Sequence, residues 1–123
     1  LANENMEMGK TDCIFCQIAG GKIPAEILYQ NEDVIAFRDI NPQAPVHLLI
    51  IPRKHIASLA ELSEDDAHLI ARMTMAANDL ARSEGISESG YRVAVNCGKW
   101  GGQIVPHLHL HLIGGRELSD KLC

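Results

Sequence analysis

The apolar positions of this 123-residue chain change their period from one end to the other, and each change marks an element. Leu1 to Lys10 is polar and aperiodic, so residues 1–11 are expected to form a poorly ordered segment ahead of one domain spanning 12–123. Cys13 to Ile18 reads as a short helix capped by Asp12 and ended by Gly20-Gly21. Glu26–Gln30 and Val34–Asp39 flank the turn-rich Asn31-Glu32-Asp33, which predicts a β-hairpin with Ile35, Phe37 and Asp39 on one face. Val46–Ile51 predicts a strand stopped by Pro52, on which His47 points with Leu49 and Ile51. Further on, Ser63 followed by Glu64-Asp65-Asp66 reads as a helix start. Leu69, Ile70, Met73, Ala76, Ala77, Leu80 and Ala81, at intervals of three and four, carry that helix to about Ser83, and Gly85 stops it. Alternation returns over Tyr91–Asn96, and a glycine-bearing loop, Cys97–Gln103, leads into the last strand. Tight turns and few crossover helices predict an α+β fold: an antiparallel sheet of about five strands with one long and one short helix on one side.

That last strand, His107-Leu108-His109-Leu110-His111-Leu112-Ile113, holds half of the six histidines at every second position. A period of two puts the three imidazoles on one face, roughly 7 Å apart, and the leucines on the other. In a helix His109 would point away from His107 and His111, and Ile104-Val105-Pro106 and Gly114-Gly115 read as strand entry and stop. Three uses fit such a row: a metal site with an open position, a nucleophilic imidazole positioned by its neighbours, or a solvated face. Imidazole suits phosphorus chemistry, because near neutral pH one ring can attack while another hydrogen-bonds the phosphoryl oxygens. Attack gives a phosphohistidine that water can resolve, whereas a serine hydrolase would call for a GxSxG elbow that the chain lacks.

Composition narrows the choice. A formal net charge of -5 leaves no basic surplus for a long nucleic acid. No apolar run is long enough to cross a bilayer and Leu1–Lys10 has no secretory signature, so an intracellular protein is expected. Of four cysteines, Cys13 and Cys16 form a CxxC pair suited to metal or free thiols, while Cys97 and Cys123 read as free thiols. Ordinary readings serve elsewhere: His47 as a core histidine bonded to a backbone carbonyl, Arg53-Lys54-His55 as a solvated turn, His68 as solvent-facing, and Met73 and Met75 as core or flank. Lys99 and Trp100 are expected to be exposed at the tip of the glycine loop, whose N–H groups can approach an anion although no GxxxxGK[ST] or GxGxxG is present.

The His107–Leu112 row resembles the signature of the histidine triad family, HxHxH followed by apolar residues. Cys13–Ile18, Ala36–Pro45, His47–Pro52 and Gly101-Gly102-Gln103 also resemble the family, in its order, over about Asp12 to Arg116 and most closely in its nucleoside phosphoramidase branch. The resemblance implies a homodimeric α+β domain that binds a purine nucleoside monophosphate or phosphoramidate. It implies hydrolysis of nucleoside 5'-phosphoramidates at the P–N bond, or of aminoacyl adenylates, without an organic cofactor and in the cytoplasm, the nucleus being left open. His109 would be the nucleophile that becomes transiently nucleotidylated, His111 would contact the α-phosphate, and His107 and His47 would support them. Asp39 would accept from the ribose hydroxyls, Phe15, Ile18, Phe37, Ile40 and Leu49 would form the base pocket, and Asn96, Gly102, Gln103 and Val105 would line the phosphate side. Where many relatives carry a serine that bonds the phosphate or leaving group, this chain has Ile104. Some family members bind zinc through two cysteines and two histidines, and the matching positions here are Cys13, Cys16, His55 and His107, a closed tetrahedral and therefore structural set. Two other readings accompany the phosphoramidase: a dinucleoside polyphosphate hydrolase, and a nucleotide-responsive binding module with little catalysis.

Overall fold

The computed structural model describes residues 12–121. The expectations for residues 1–11 and for Cys123 lie outside that range. Helix α1 (Ile14–Ala19) is followed by strands β1 (Ile27–Gln30), β2 (Val34–Arg38) and β3 (Val46–Pro52), helix α2 (His68–Ser83), then β4 (Tyr91–Ala94) and β5 (Leu110–Gly114). The five strands form one antiparallel sheet in the order β1-β2-β3-β5-β4. This is the expected α+β architecture. Among the described residues no helix is long and apolar enough to cross a membrane.

The helices, however, lie on opposite faces of the sheet. Leu69, Met73, Ala76, Ala77, Leu80 and Ala81 of α2 pack on Val34, Ala36, Leu48, Ile50, Leu110 and Leu112. Phe15 and Ile18 of α1, with Cys13, pack on Ile35, Phe37, Leu49 and Ile51. The reason is legible in β2 and β3, whose apolar runs leave both faces to be covered, as their uninterrupted burial from Val34 to Phe37 and from Val46 to Pro52 shows.

Three local expectations also change. Cys13, not Asp12, caps α1, its Sγ accepting from the Cys16 N–H at 3.4 Å. Ser63 starts only a 3₁₀ turn over Glu64–Asp66, with no side-chain cap, and α2 begins at His68. The Asp66 carboxylate is held by Lys54 Nζ at 2.9 Å. The loop at Arg53 is no solvated turn: its guanidinium donates to the carbonyls of Asn31 and Ala19 and to Gln30 Oε1, at 2.6, 3.1 and 2.8 Å, joining α1 to the hairpin.

The last strand is shorter than its pattern. Pro106 centres a tight turn in which the His107 N–H donates to the Val105 carbonyl at 2.8 Å, and the Leu108 N–H donates to Ile56 O at 2.7 Å. The ladder therefore begins only at Leu110. His107 and His109 precede it, and His111 alone of the three sits within the sheet, opposite Leu49 on one side and Ala94 on the other. Phe37, Leu49, His111 and Ala94 form a row across four strands on the face that α1 covers in part.

Candidate active site

Backbone groups fix which nitrogen of His109 and of His47 carries a proton, and His47 in turn fixes His111. The His107 carbonyl can only accept, so His109 Nδ1, 2.7 Å away, donates to it and the neutral ring keeps its lone pair on Nε2. The Gln43 N–H can only donate, so His47 Nδ1, at 3.0 Å, accepts and the proton of neutral His47 lies on Nε2. His47 Nε2 is 2.9 Å from His111 Nδ1 and 3.4 Å from Asp39 Oδ2. His111 Nδ1 then accepts, and its own proton sits on Nε2, a buried atom with no hydrogen-bond partner among the described residues. His47 is thus buried, as expected, but its partners are an amide and two side chains rather than a carbonyl.

Desolvation keeps this relay neutral. Burial, helped by the neighbouring His109 and His47, lowers His111 from 6.5 to about 4, and burial also lowers His47, with Asp39 acting the other way. Between pH 6.5 and 4 the unfolded chain takes up a proton at His111 that the folded chain refuses, so the stability present above pH 6.5 is lost as the pH falls toward 4. Such a shift equals about 3 kcal/mol in full, and partial exposure of the ring brings the expected share to about 1–2 kcal/mol. Urea unfolding at pH 7 and pH 4.5 should show that loss reduced in a His111→Gln variant; an equal loss in both proteins would contradict the assignment.

His109 and His111, with ring centroids 5.0 Å apart, open on a cavity of about 420 Å³, a size that suits a small organic ligand. One end is apolar, walled by Phe15, Ile18, Phe37 and Leu49, and Phe15 meets Phe37 and His109 edge to face at 5.4 and 5.2 Å. Asp39, Asn96, Gly102 and Val105 also line the cavity, with the exposed Ile40 and Ile104 at its rim. Gly102, with φ of +84°, puts backbone without a side chain on the cavity lining beside Asn96.

His107 faces elsewhere. Its Nε2 donates to the Pro52 carbonyl at 2.9 Å, which leaves Nδ1 free to meet Cys13 Sγ at 3.3 Å and Cys16 Sγ at 3.5 Å. Cys16 Sγ also meets His55 Nδ1 at 3.2 Å, and the four donor atoms lie within 4.8 Å of one another. Neighbouring ligands of a tetrahedral zinc are separated by about 3.3–3.8 Å, so the two thiols and two imidazoles fit that ion with little movement. Burial holds His107 neutral, down to about 4, as a ligand requires. Asp39, His47 and His111 also converge within 4.8 Å. A metal on His47 Nε2 would force the proton onto Nδ1, against the Gln43 N–H, so this second cluster is a hydrogen-bond relay.

A family model described as scavenger mRNA decapping enzyme C-term binding matches residues 12–121. The purine nucleoside phosphoramidase of Escherichia coli (strain K12) is 45% identical over 111 residues, which cover 90% of this chain and 93% of that protein. A HIT family hydrolase from Legionella pneumophila superposes with a TM-score of 0.87 at 50% identity, covering 89% of this chain and 97% of the other. The chain belongs to the histidine triad family. A zinc-bound histidine triad family protein from Mycobacterium smegmatis is similar at a TM-score of 0.76 and 32% identity, covering 93% of this chain and 81% of that one.

Within this histidine triad hydrolase, the residues expected around a nucleotide mostly converge. Phe15, Ile18, Phe37, Asp39, Ile40, Leu49, Asn96, Gly102, Ile104, Val105, His109 and His111 all line the cavity. Gln103 does not line it and instead ties its loop to the segment after β3, its amide nitrogen donating to Ala57 O and Val105 O at 2.7 and 2.9 Å and its oxygen accepting from the Gly98 N–H at 2.9 Å. Ile14, Arg38, Asn41 and Gln43 also line the cavity and were not singled out in the sequence. Asn41 and Gln43 had one signal: they lie on the short connection between Asp39 and His47, both already placed on the site face. Arg38 had none, because alternation turns it away from Asp39, and its guanidinium pairs with Glu26 and Glu84 at 2.9 and 2.8 Å.

Proposed function

We propose that this hydrolase cleaves the P–N bond of purine nucleoside 5'-phosphoramidates, or the equivalent bond of aminoacyl adenylates, through a nucleotidylated His109. The observation that carries this reading is the pairing of opposite tautomers on one cavity: His109 holds a lone pair on Nε2 and His111 a proton on Nε2. The purine would occupy the apolar end beside Phe15 and Phe37, the ribose hydroxyls would donate to Asp39, and the α-phosphate would lie over the triad. His109 Nε2 attacks phosphorus as the bond to nitrogen breaks and the amine departs with a proton from solvent. His111 donates to the phosphoryl oxygen while charge builds there. Water then attacks the nucleotidyl-histidine, forming the nucleoside monophosphate and restoring the imidazole. Cys13, Cys16, His55 and His107 would hold a zinc ion, which would act as a structural cross-link between α1 and the triad segment.

Turnover of adenosine 5'-phosphoramidate compared with a diadenosine polyphosphate at equal concentration tests the substrate class. Faster turnover of the phosphoramidate is expected. Preference for the dinucleotide would favour the polyphosphate hydrolase, and AMP binding without turnover of either would favour a binding module. Ile104, at the cavity rim and 91% exposed, offers the leaving group no hydrogen bond. Ile104→Ser should raise kcat for the phosphoramidate by about 2- to 10-fold, the equivalent of one hydrogen bond. An unchanged or lower kcat would show that the leaving group does not meet this position.

A further inference from the structure

The relay from His47 to His111 begins at the backbone N–H of Gln43, and a loop amide can hold a ring in one tautomer only if the loop is itself held. Within the loop, the Asn41 N–H donates to Asp39 Oδ1 at 2.9 Å and the Gln43 side chain donates to Asn41 O at 3.1 Å. At its base the Asp39 N–H donates to the His47 carbonyl at 3.0 Å, and further support comes from the residues just after β5. Arg116 Nη2 donates to the Gln43 carbonyl at 3.0 Å, while Nη1 donates to Glu117 O at 3.1 Å. Gly115, with φ of +92°, lets the chain pass so close that an added Cβ would lie 2.9 Å from Pro45 Cβ and 3.3 Å from the Val46 nitrogen. The chain leaving β5 is therefore pressed against the far end of the same loop, and the guanidinium closes on its middle.

We propose that Arg116 is a positioning residue of the histidine relay: by holding the carbonyl on one side of the Gln43 Cα it fixes the loop, so that the Gln43 N–H on the other side keeps His47, and through it His111, in the tautomer that carries its proton on Nε2. A guanidinium suits the task because its rigid fork makes two bonds at once, one to the loop and one to its own strand end, and stays charged at any working pH. The role assigned to His111 rests on the phosphoramidase reading, but its tautomer does not, and the two can be tested apart.

Imidazole ¹⁵N spectra of the parent, Arg116→Ala and Arg116→Lys proteins, recorded without substrate, read the tautomers directly. The parent should show His47 protonated at Nε2 and His111 at Nε2. In Arg116→Ala both rings should become tautomer mixtures, and kcat for adenosine 5'-phosphoramidate should fall by about 3- to 10-fold, the effect of one surface-facing hydrogen bond, with KM nearly unchanged. Arg116→Lys, which retains one donor, should recover part of both. Parent-like nitrogen signals in Arg116→Ala would overturn the proposal whatever kcat does. A parent protein with the expected tautomers but no phosphoramidate turnover would instead overturn the functional reading and leave the positioning role to be decided by the spectra.

Discussion

Replacing His109 with alanine should abolish phosphoramidate turnover, lowering kcat by at least about 10⁴-fold, the scale on which removing an attacking group acts in other covalent hydrolases. AMP affinity should change little. The loss is large because no neighbour can substitute for the lone pair on His109 Nε2: His111 carries a proton on its own Nε2, and His47 stands behind it with Nδ1 taken by the Gln43 N–H. Binding should survive because the proposed base and ribose contacts fall on Phe15, Phe37, Leu49 and Asp39 rather than on the substituted ring. Steady-state kinetics and calorimetric AMP titration of the same preparation separate the two effects. An alanine variant as active as the parent would remove His109 from the reaction.

The second large effect concerns the metal. Protein purified without added metal should contain about one equivalent of zinc per chain, and Cys13→Ser should lose it. An ion that binds the folded chain alone at a thousand times its Kd adds about 4 kcal/mol, so the melting temperature should fall on the order of 10–20 °C. Cys13 also caps α1 and lies in the core beneath it, so the comparison that isolates the metal is parent protein with and without a strong chelator. The damage should spread to the cavity, since Phe15 stands between the two cysteines in the chain and against His109, and the His107 carbonyl orients the His109 ring. A folded parent that contains no metal and melts identically with chelator would withdraw the zinc assignment.

Much of the site was legible because period-two alternation is a geometric statement. It put Phe37 with Asp39 and His47 with Leu49 on shared faces, and the structure keeps both pairs on the cavity. The same alternation treated three histidines as equivalent, and it failed where the strand did not yet exist. Pro106 and the Leu108–Ile56 bond hold the first part of the row out of the ladder, which turns His107 toward the cysteines. Backbone contributions were invisible for a different reason: the Gln43 N–H, the Pro52 carbonyl and the His107 carbonyl set the tautomers, and every residue but proline carries the same amide. The cover on the second face of the sheet was also readable. Apolar runs in β2 and β3 already required cover on both sides, and α1 was the remaining element that could supply it.

The nucleotidyl-histidine itself is the most direct test. Rapid-quench mass spectrometry during turnover of adenosine 5'-phosphoramidate should find an adenylyl group on the peptide that carries His109, formed and lost at rates that account for kcat, with water entering at phosphorus with net retention. Turnover that proceeds with inversion and leaves no adduct on His109 would mean that water attacks directly, and would contradict the mechanism.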